Sequence, residues 1–278
     1  MEKNGFYLMD NMEESVRLEV KTDPEAVREE ARWCGVKPGM RVMDAGCGPG
    51  LTSALLLELL QPGGEVVGID YMEPRIRDAR EKYGERPGME FLLHDLRQPL
   101  PPMEPFDLIW IRFVLEYNLR ESLDIVRNLT ACLKPDGWLC LMDLDYNCLS
   151  HYPLPESMDR TLQKGMKLFQ RDLNFDPYAG RKLYSYLYDL EYRDVEVRMK
   201  AHHLIYGDVR SSDLFNWTKK LEVAAVQVQG AFDDYPGGYQ GFFSDFNAFF
   251  NDPRRFTYTP MILCKGRKPS ADPGTTGG

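Results

Sequence analysis

The chain has 278 residues, 43% hydrophobic and 28% charged, with a formal net charge of −9. That apolar share is enough to build a folded core and excludes a chain held open by its own charge. The acidic balance speaks against a main partner made of nucleic acid, whose affinity comes from Lys and Arg neutralising phosphates.

The first twenty residues carry acids where a secretion signal needs a basic and then an apolar run. No stretch approaches the roughly 18 apolar residues of a membrane span. Six cysteines (Cys34, Cys47, Cys132, Cys140, Cys148, Cys264) are dispersed without CxxC pairs, as reduced thiols are, so a cytoplasmic location is expected. Pro24 to Trp33 reads as a helix ahead of the first strand. From there short apolar runs alternate with helical segments: strands at Arg41 to Ala45, Glu65 to Asp70, Glu90 to Asp95, Asp107 to Arg112 and Trp138 to Asp143. Between them Leu51 to Leu60 is apolar nearly all round, so a buried helix, and Glu73 to Tyr83 is polar, so a solvated one. Arg120 to Leu133 has helical spacing at Leu123, Val126, Leu129 and Leu133. Helix-stopping Pro and Gly residues precede the first, second and fifth strands.

Further on, helices are expected at Ser157 to Phe169 and Gly180 to Leu190, then a strand at Val195 to Lys200. A last strand near Met261 to Lys265 should begin after Pro260, which cannot donate to a ladder. The segment Gly207 to Asp252 exceeds what joins two neighbouring strands and reads as a helical lid. This alternation predicts an α/β fold: a Rossmann-like, doubly wound, mostly parallel seven-stranded sheet with helices on both faces and a helical lid insertion. The organisation expected is an N-terminal arm and helix (1–35), a core (36–206 and 253–268), the lid (207–252) and a disordered tail (269–278).

The chemistry gathers at the strand ends. Asp44-Ala45-Gly46-Cys47-Gly48-Pro49-Gly50 joins a strand to a helix through alternate glycines, which let backbone turn tightly and approach a ligand. Asp70 ends the next strand, where a carboxylate can accept both hydroxyls of a ribose. His94-Asp95-Leu96 ends the third at the same carboxyl edge, where open α/β sheets bind ligands. The set DAGCGPG, GIDYMEP, FLLHDLRQPLP, FDLIWIRFVLEY and LKPDGWLCLMD resembles the class I S-adenosylmethionine (SAM) dependent methyltransferases, especially the small-molecule branch with the ubiquinone and menaquinone biosynthesis enzymes. The resemblance covers about residues 36 to 145.

It implies that SAM is the cofactor and that a small molecule accepts its methyl group. Gly46, Cys47 and Gly48, with Ala45 and Gly50, would line its methionine part, and Asp44 would sit near its amino group. Asp70 would hold the ribose and Tyr71 and Met72 would flank the adenine; Asp95 would accept from the adenine amino group, with His94 and Leu96 beside the ring. Arg112 and Phe113 would close over the sulfonium, and Tyr7 and Arg17 would belong to a segment covering the methionine carboxylate. A nicotinamide dehydrogenase, the competing reading, usually carries GxGxxG/A, because a helix N-terminus must receive a pyrophosphate. Here the spacing is GxGxG, followed by Leu51. A catalytically silent cofactor-binding or scaffold protein is the other alternative.

The four histidines form no ligand cluster with acids or thiols, so no metal is expected. For an acceptor that must lose a proton, Tyr146 and His151, just after the fifth strand, are the candidate catalytic groups. The series Tyr239, Phe242, Phe243, Phe246, Phe249 and Phe250 has helical spacing and reads either as core packing or as the wall of an acceptor pocket. A homodimer is left open.

Overall fold

A computed structural model describes residues 22–270 of the chain. The first described helix, α1 (Pro24–Cys34), starts where the Asp23 carboxylate accepts from the N–H groups of Glu25 and Ala26, and stops at Gly35 with φ 92°. It is followed by β1 (Arg41–Ala45), α2 (Leu51–Leu60), β2 (Glu65–Asp70), α3 (Glu73–Tyr83), β3 (Met89–Leu93), β4 (Phe106–Arg112), α4 (Ser122–Ala131) and β5 (Leu133–Leu144). Strands β3-β2-β1-β4-β5 lie side by side and parallel. The chain runs outward from β1 to β3, then crosses back to β4 on the other side of β1. The crevice at the carboxyl ends of β1 and β4 is therefore the switch point at which such sheets bind ligands.

The remaining elements are β6 (His151–Tyr152), α5 (Glu156–Asp172), α6 (Leu183–Asp189), β7 (Arg193–Tyr206), α7 (Ser211–Gln227), α8 (Gly238–Asn251) and β8 (Phe256–Arg267). Strand β8 runs antiparallel to β5 and carries β7 along its length. The expected mostly parallel sheet with helices on both faces is present, with eight strands rather than seven; the added one is the two-residue β6, paired to the start of β8.

Alternation inside the strands sends side chains into two apolar layers. On β4, Ile109 and Ile111 join the layer under α4 and α6, while Leu108 and Trp110 join the layer under α1 and α2. This explains why α2 is buried nearly all round, between sheet and α1, whereas α3 buries only Arg75, Ile76 and Ala79. A third cluster, built from α5, α7 and α8, forms a cap.

Three strand expectations need correction. Strand β5 begins at Leu133 rather than Trp138, so Pro135 and Gly137 lie within it, where its register with β4 shifts between Phe106 and Leu108. Pairing of β8 begins before Pro260, at Phe256, because the ladder to β7 is irregular between Ala201 and His203, beside the proline's partner Ala201. Strand β7 is also longer than Val195 to Lys200, running to Tyr206 alongside that extension of β8. The segment expected as a lid holds α7 and α8, so it is helical.

Candidate functional site

The turn after β1 is held by the neighbouring strand. The N–H groups of Gly46 and Cys47 donate to Ile69 O at 2.7 and 3.0 Å, and Gly48 N–H donates to Asp70 Oδ2 at 3.0 Å. Gly46 has φ 82°, and a Cβ there would lie 2.2 Å from Val114 Cγ2, so any side chain would collide with the next loop. Gly48, at φ 54°, faces the opposite situation: a Cβ would meet nothing within 4 Å. Its backbone is bare toward open space, as a ligand-facing turn requires.

That space is a cavity of about 310 Å³. Gly46, Cys47 and Gly48 form one wall, Asp70, Tyr71, His94, Asp95 and Leu96 another, and Arg112 and Phe113 a third. Asp44, Ala45, Gly50 and Met72 stand behind this lining. Asp44 is buried under the turn and accepts a hydrogen bond from Ser53 Oγ at 2.6 Å. Gly50 packs against Ala79, Phe91 and Tyr83, and Met72 N–H donates to Asp70 Oδ1 at 2.9 Å. Tyr7 and Arg17 lie outside the described residues.

Electrostatics differ among the three acids at the carboxyl edge of the sheet. Burial, reinforced by the charge of Asp70, pushes the Asp44 carboxyl up to about 7 against the Ser53 hydrogen bond. Asp70 is also raised by burial, with Arg75 and the backbone N–H donors acting in the opposite direction. Asp95 is held below the usual carboxylate range by Arg97, whose guanidinium spans both its oxygens at 2.9 and 2.7 Å. Arg112 donates from Nε to the buried Glu30 at 3.0 Å and stacks 4.2 Å from the centre of the Phe113 ring. This fixes Phe113, whose φ is 58°, at the edge of the cavity.

Beyond Phe113 the cavity continues beneath the cap. Its deeper wall includes Glu116, Asn147, Cys148, Met166, Phe169, Phe175, His202 and Lys220. Glu116 is buried; its Oε2 accepts from Asn147 Nδ2 at 2.8 Å, and its N–H donates to Asp143 Oδ2 at 3.0 Å. Burial, and then the charge of Glu116, drive the fully buried Asp143 carboxyl well above its ordinary range.

Neither residue expected as a proton acceptor lines the cavity. Tyr146 sits in the cap cluster with its ring 5.8 Å from that of Tyr178. His151 is turned away because its residue forms β6. Its ring is bounded by Trp217, Phe246, Phe249 and Phe250, its Nε2–H donates to Cys148 O at 3.2 Å, and its Nδ1 accepts from Thr257 Oγ1 at 2.9 Å. Glu116, Asn147, His202 and Lys220 occupy the wall instead. Glu116 had a readable signal, an acid in the turn after β4, within FVLEY; His202 and Lys220 come from elements with no ligand pattern. Among the described residues no group of His, Cys, Asp and Glu is placed to hold a metal. All six cysteines are free thiols, and no described helix is long and apolar enough to cross a membrane.

Residues 43–139 match the family described as a methyltransferase domain. The chain is 25% identical over 199 residues, 69% of each protein, to one from Schizosaccharomyces pombe named an uncharacterized methyltransferase. It is 32% identical over 119 residues to demethylmenaquinone methyltransferase of Listeria welshimeri, covering 42% of this chain and 50% of the relative. The match thus spans about half the length of that enzyme. Phosphoethanolamine N-methyltransferase 2 of Haemonchus contortus, solved with S-adenosyl-L-methionine, shares the fold over 89% of this chain and 52% of its own, with a TM-score of 0.54 and 16% identity.

Proposed function

We propose that this chain, a member of the class I SAM-dependent methyltransferases with SAM as its cofactor, transfers the methyl group to a small-molecule acceptor held beneath the cap. The observation that carries the acceptor assignment is the continuity of the cavity. One space runs from the glycine turn, past Arg112 and Phe113, to Glu116, Cys148 and Met166. A donor at the sheet edge and an acceptor under the cap would share it without intervening protein.

The residues fit that cofactor. The open Gly48 backbone leaves room for an extended chain, the buried Asp44 puts a carboxyl group just behind the turn where an ammonium group would lie, and Asp70 offers carboxylate oxygens to a diol. When bound, SAM supplies an electrophilic methyl on a sulfonium whose leaving group departs neutral. The protein's work is then chiefly placement. Alignment of reactants contributes about 7–11 kcal/mol, against roughly 3–5 for a general base. Phe113, pinned by Arg112, would shape the passage between the two halves. Glu116 would take the proton of an acceptor hydroxyl or ammonium group, held in place by Asn147 and by the Asp143 carboxyl. The segment 207–252, with α5, would form the lid that excludes water.

Supporting this reading, the demethylmenaquinone methyltransferases named above act, by their name, on an organic small molecule. The test is turnover: purified protein with SAM and a panel of phenolic, amine and carboxylate acceptors should release S-adenosylhomocysteine (SAH) without added metal. SAM and SAH both failing to bind in calorimetry, while NAD binds, would refute it.

A further inference from the structure

Behind the cleft the cap contains a second space of about 70 Å³, between α5, α7 and α8. It shares Cys148, Met166, Phe169, Lys220 and Ala224 with the main cavity, so these residues form its mouth. Its depth is apolar, closed by Val228, Phe242 and Phe246. Gly165 also faces it, in the interior of α5, where glycine is less favourable than alanine. A Cβ at Gly165 would come no closer than 3.7 Å to its neighbours, so no steric conflict demands glycine. What the missing side chain preserves is the space itself.

One cation stands at the mouth. Lys220 is half-buried, and its ammonium lies 5.1 Å from the centre of the Trp217 ring. Among the described residues no carboxylate pairs with it, although the adjacent Lys219 takes Glu222 at 2.7 Å. The acids of the main cavity are engaged elsewhere: Asp95 by Arg97, Glu116 by Asn147, and Asp70 by the turns of Gly48 and Met72. Aromatic contact holds the ammonium without neutralising it. A charge at the edge of an apolar space, with little competing water, attracts an opposite charge more strongly than it would at the open surface.

We infer that the acceptor is an amphipathic organic anion, whose apolar part enters the space beside Gly165 and whose negative group rests on Lys220. This rests on the reading of the cleft as a SAM-dependent methyl-transfer site. The probes are octanoate, octan-1-ol and octylammonium, which share a chain and differ in charge, titrated into protein saturated with SAH. Octanoate should bind about tenfold or more tightly than octanol, the scale of a hydrogen bond to a charged group, and octylammonium least. Lys220→Met should abolish the preference for octanoate, and Lys220→Glu should shift it to octylammonium. Gly165→Leu should weaken all three probes, while every variant keeps its affinity for SAH. Equal binding of the probes by the wild type, or an unchanged preference in Lys220→Met, would overturn the inference while leaving the donor site standing. Failure of the wild type to bind SAH would overturn the methyl-transfer reading and the inference with it.

Discussion

Glu116 donates its backbone N–H to Asp143 Oδ2 at 3.0 Å, so the acid that lines the cavity is seated on a second acid that solvent does not reach. Asp143 is the one driven toward its protonated form, by burial and by the negative charge of Glu116. The raised Asp143 carboxyl thus lies behind Glu116, away from the cavity that Glu116 lines. Glu116→Gln keeps the shape of the side chain and removes its basicity. For an acceptor that loses a proton, kcat should fall about 10²- to 10⁴-fold with the KM for SAM nearly unchanged. Steady-state kinetics with both substrates varied would check this. A loss confined to the KM for SAM would place Glu116 on the donor side instead.

Asp70 has a double task in the structure. Its oxygens receive the N–H groups of Gly48 and Met72, so it holds two turns as well as facing the cavity. Asp70→Ala should raise the KM for SAM about ten- to a hundredfold, with little effect on kcat, since such bonds persist from ground state to transition state. It should also lower the melting temperature without ligand, because two turn N–H groups lose their acceptor. An unchanged KM would mean that the ribose is held elsewhere.

How much of this was legible depended on whether the signal was local. That Gly46 to Gly48, Asp70 and Asp95 gather around one cavity is legible because strand, turn and helix follow one another directly in the chain. The deeper wall is not local: Glu116, Asn147, His202 and Lys220 come from four segments far apart in the chain. His151 is expected at the ligand edge because a polar residue after a strand end reads as a loop. Pairing of His151 with Thr257 instead makes it a strand and carries its ring into the aromatic cluster. Phe242 and Phe246 read from the sequence either as core packing or as the wall of an acceptor pocket. They are buried in the cap core, and they also close the apolar space behind the cleft.

A pH dependence of cofactor binding follows from Asp44. Its folded pKa, about 7, lies above its ordinary value of 3.8, so the folded state retains the proton longer. The stability that this retention contributes is fully present below the unfolded value near 4 and is lost as pH rises through about 7. An ammonium group beside Asp44 favours the ionised form, so SAM binding should release a proton and strengthen between pH 6 and 8. Ser53→Ala removes the hydroxyl donated at 2.6 Å and should move the midpoint of that increase upward. Calorimetry in two buffers of different ionisation enthalpy would count the protons. No proton release at pH 6.5, together with a flat affinity profile, would remove Asp44 from the ammonium's surroundings.

His151 gives the opposite sign and separates a structural from a catalytic role. Its neutral ring donates from Nε2 to Cys148 O and accepts at Nδ1 from Thr257, and four aromatic rings shield it. Burial lowers its pKa from 6.5 to about 4, so the unfolded chain binds the proton first as pH falls. Its contribution is therefore complete above about 6.5 and is lost progressively down to about 4, amounting to about 2 kcal/mol by pH 5. His151→Phe should melt lower than the wild type at pH 7.5, because Thr257 and the Cys148 carbonyl lose their partner. Between pH 6.5 and 5, however, its melting temperature should fall less steeply than that of the wild type, since the titrating group is gone. Turnover per folded molecule should persist, because the ring does not reach the cavity. Parallel melting curves and single-turnover rates on both proteins would decide the matter. A rate loss of about 10² or more with the fold intact, the scale expected for a missing general base, would return His151 to the chemistry and displace Glu116.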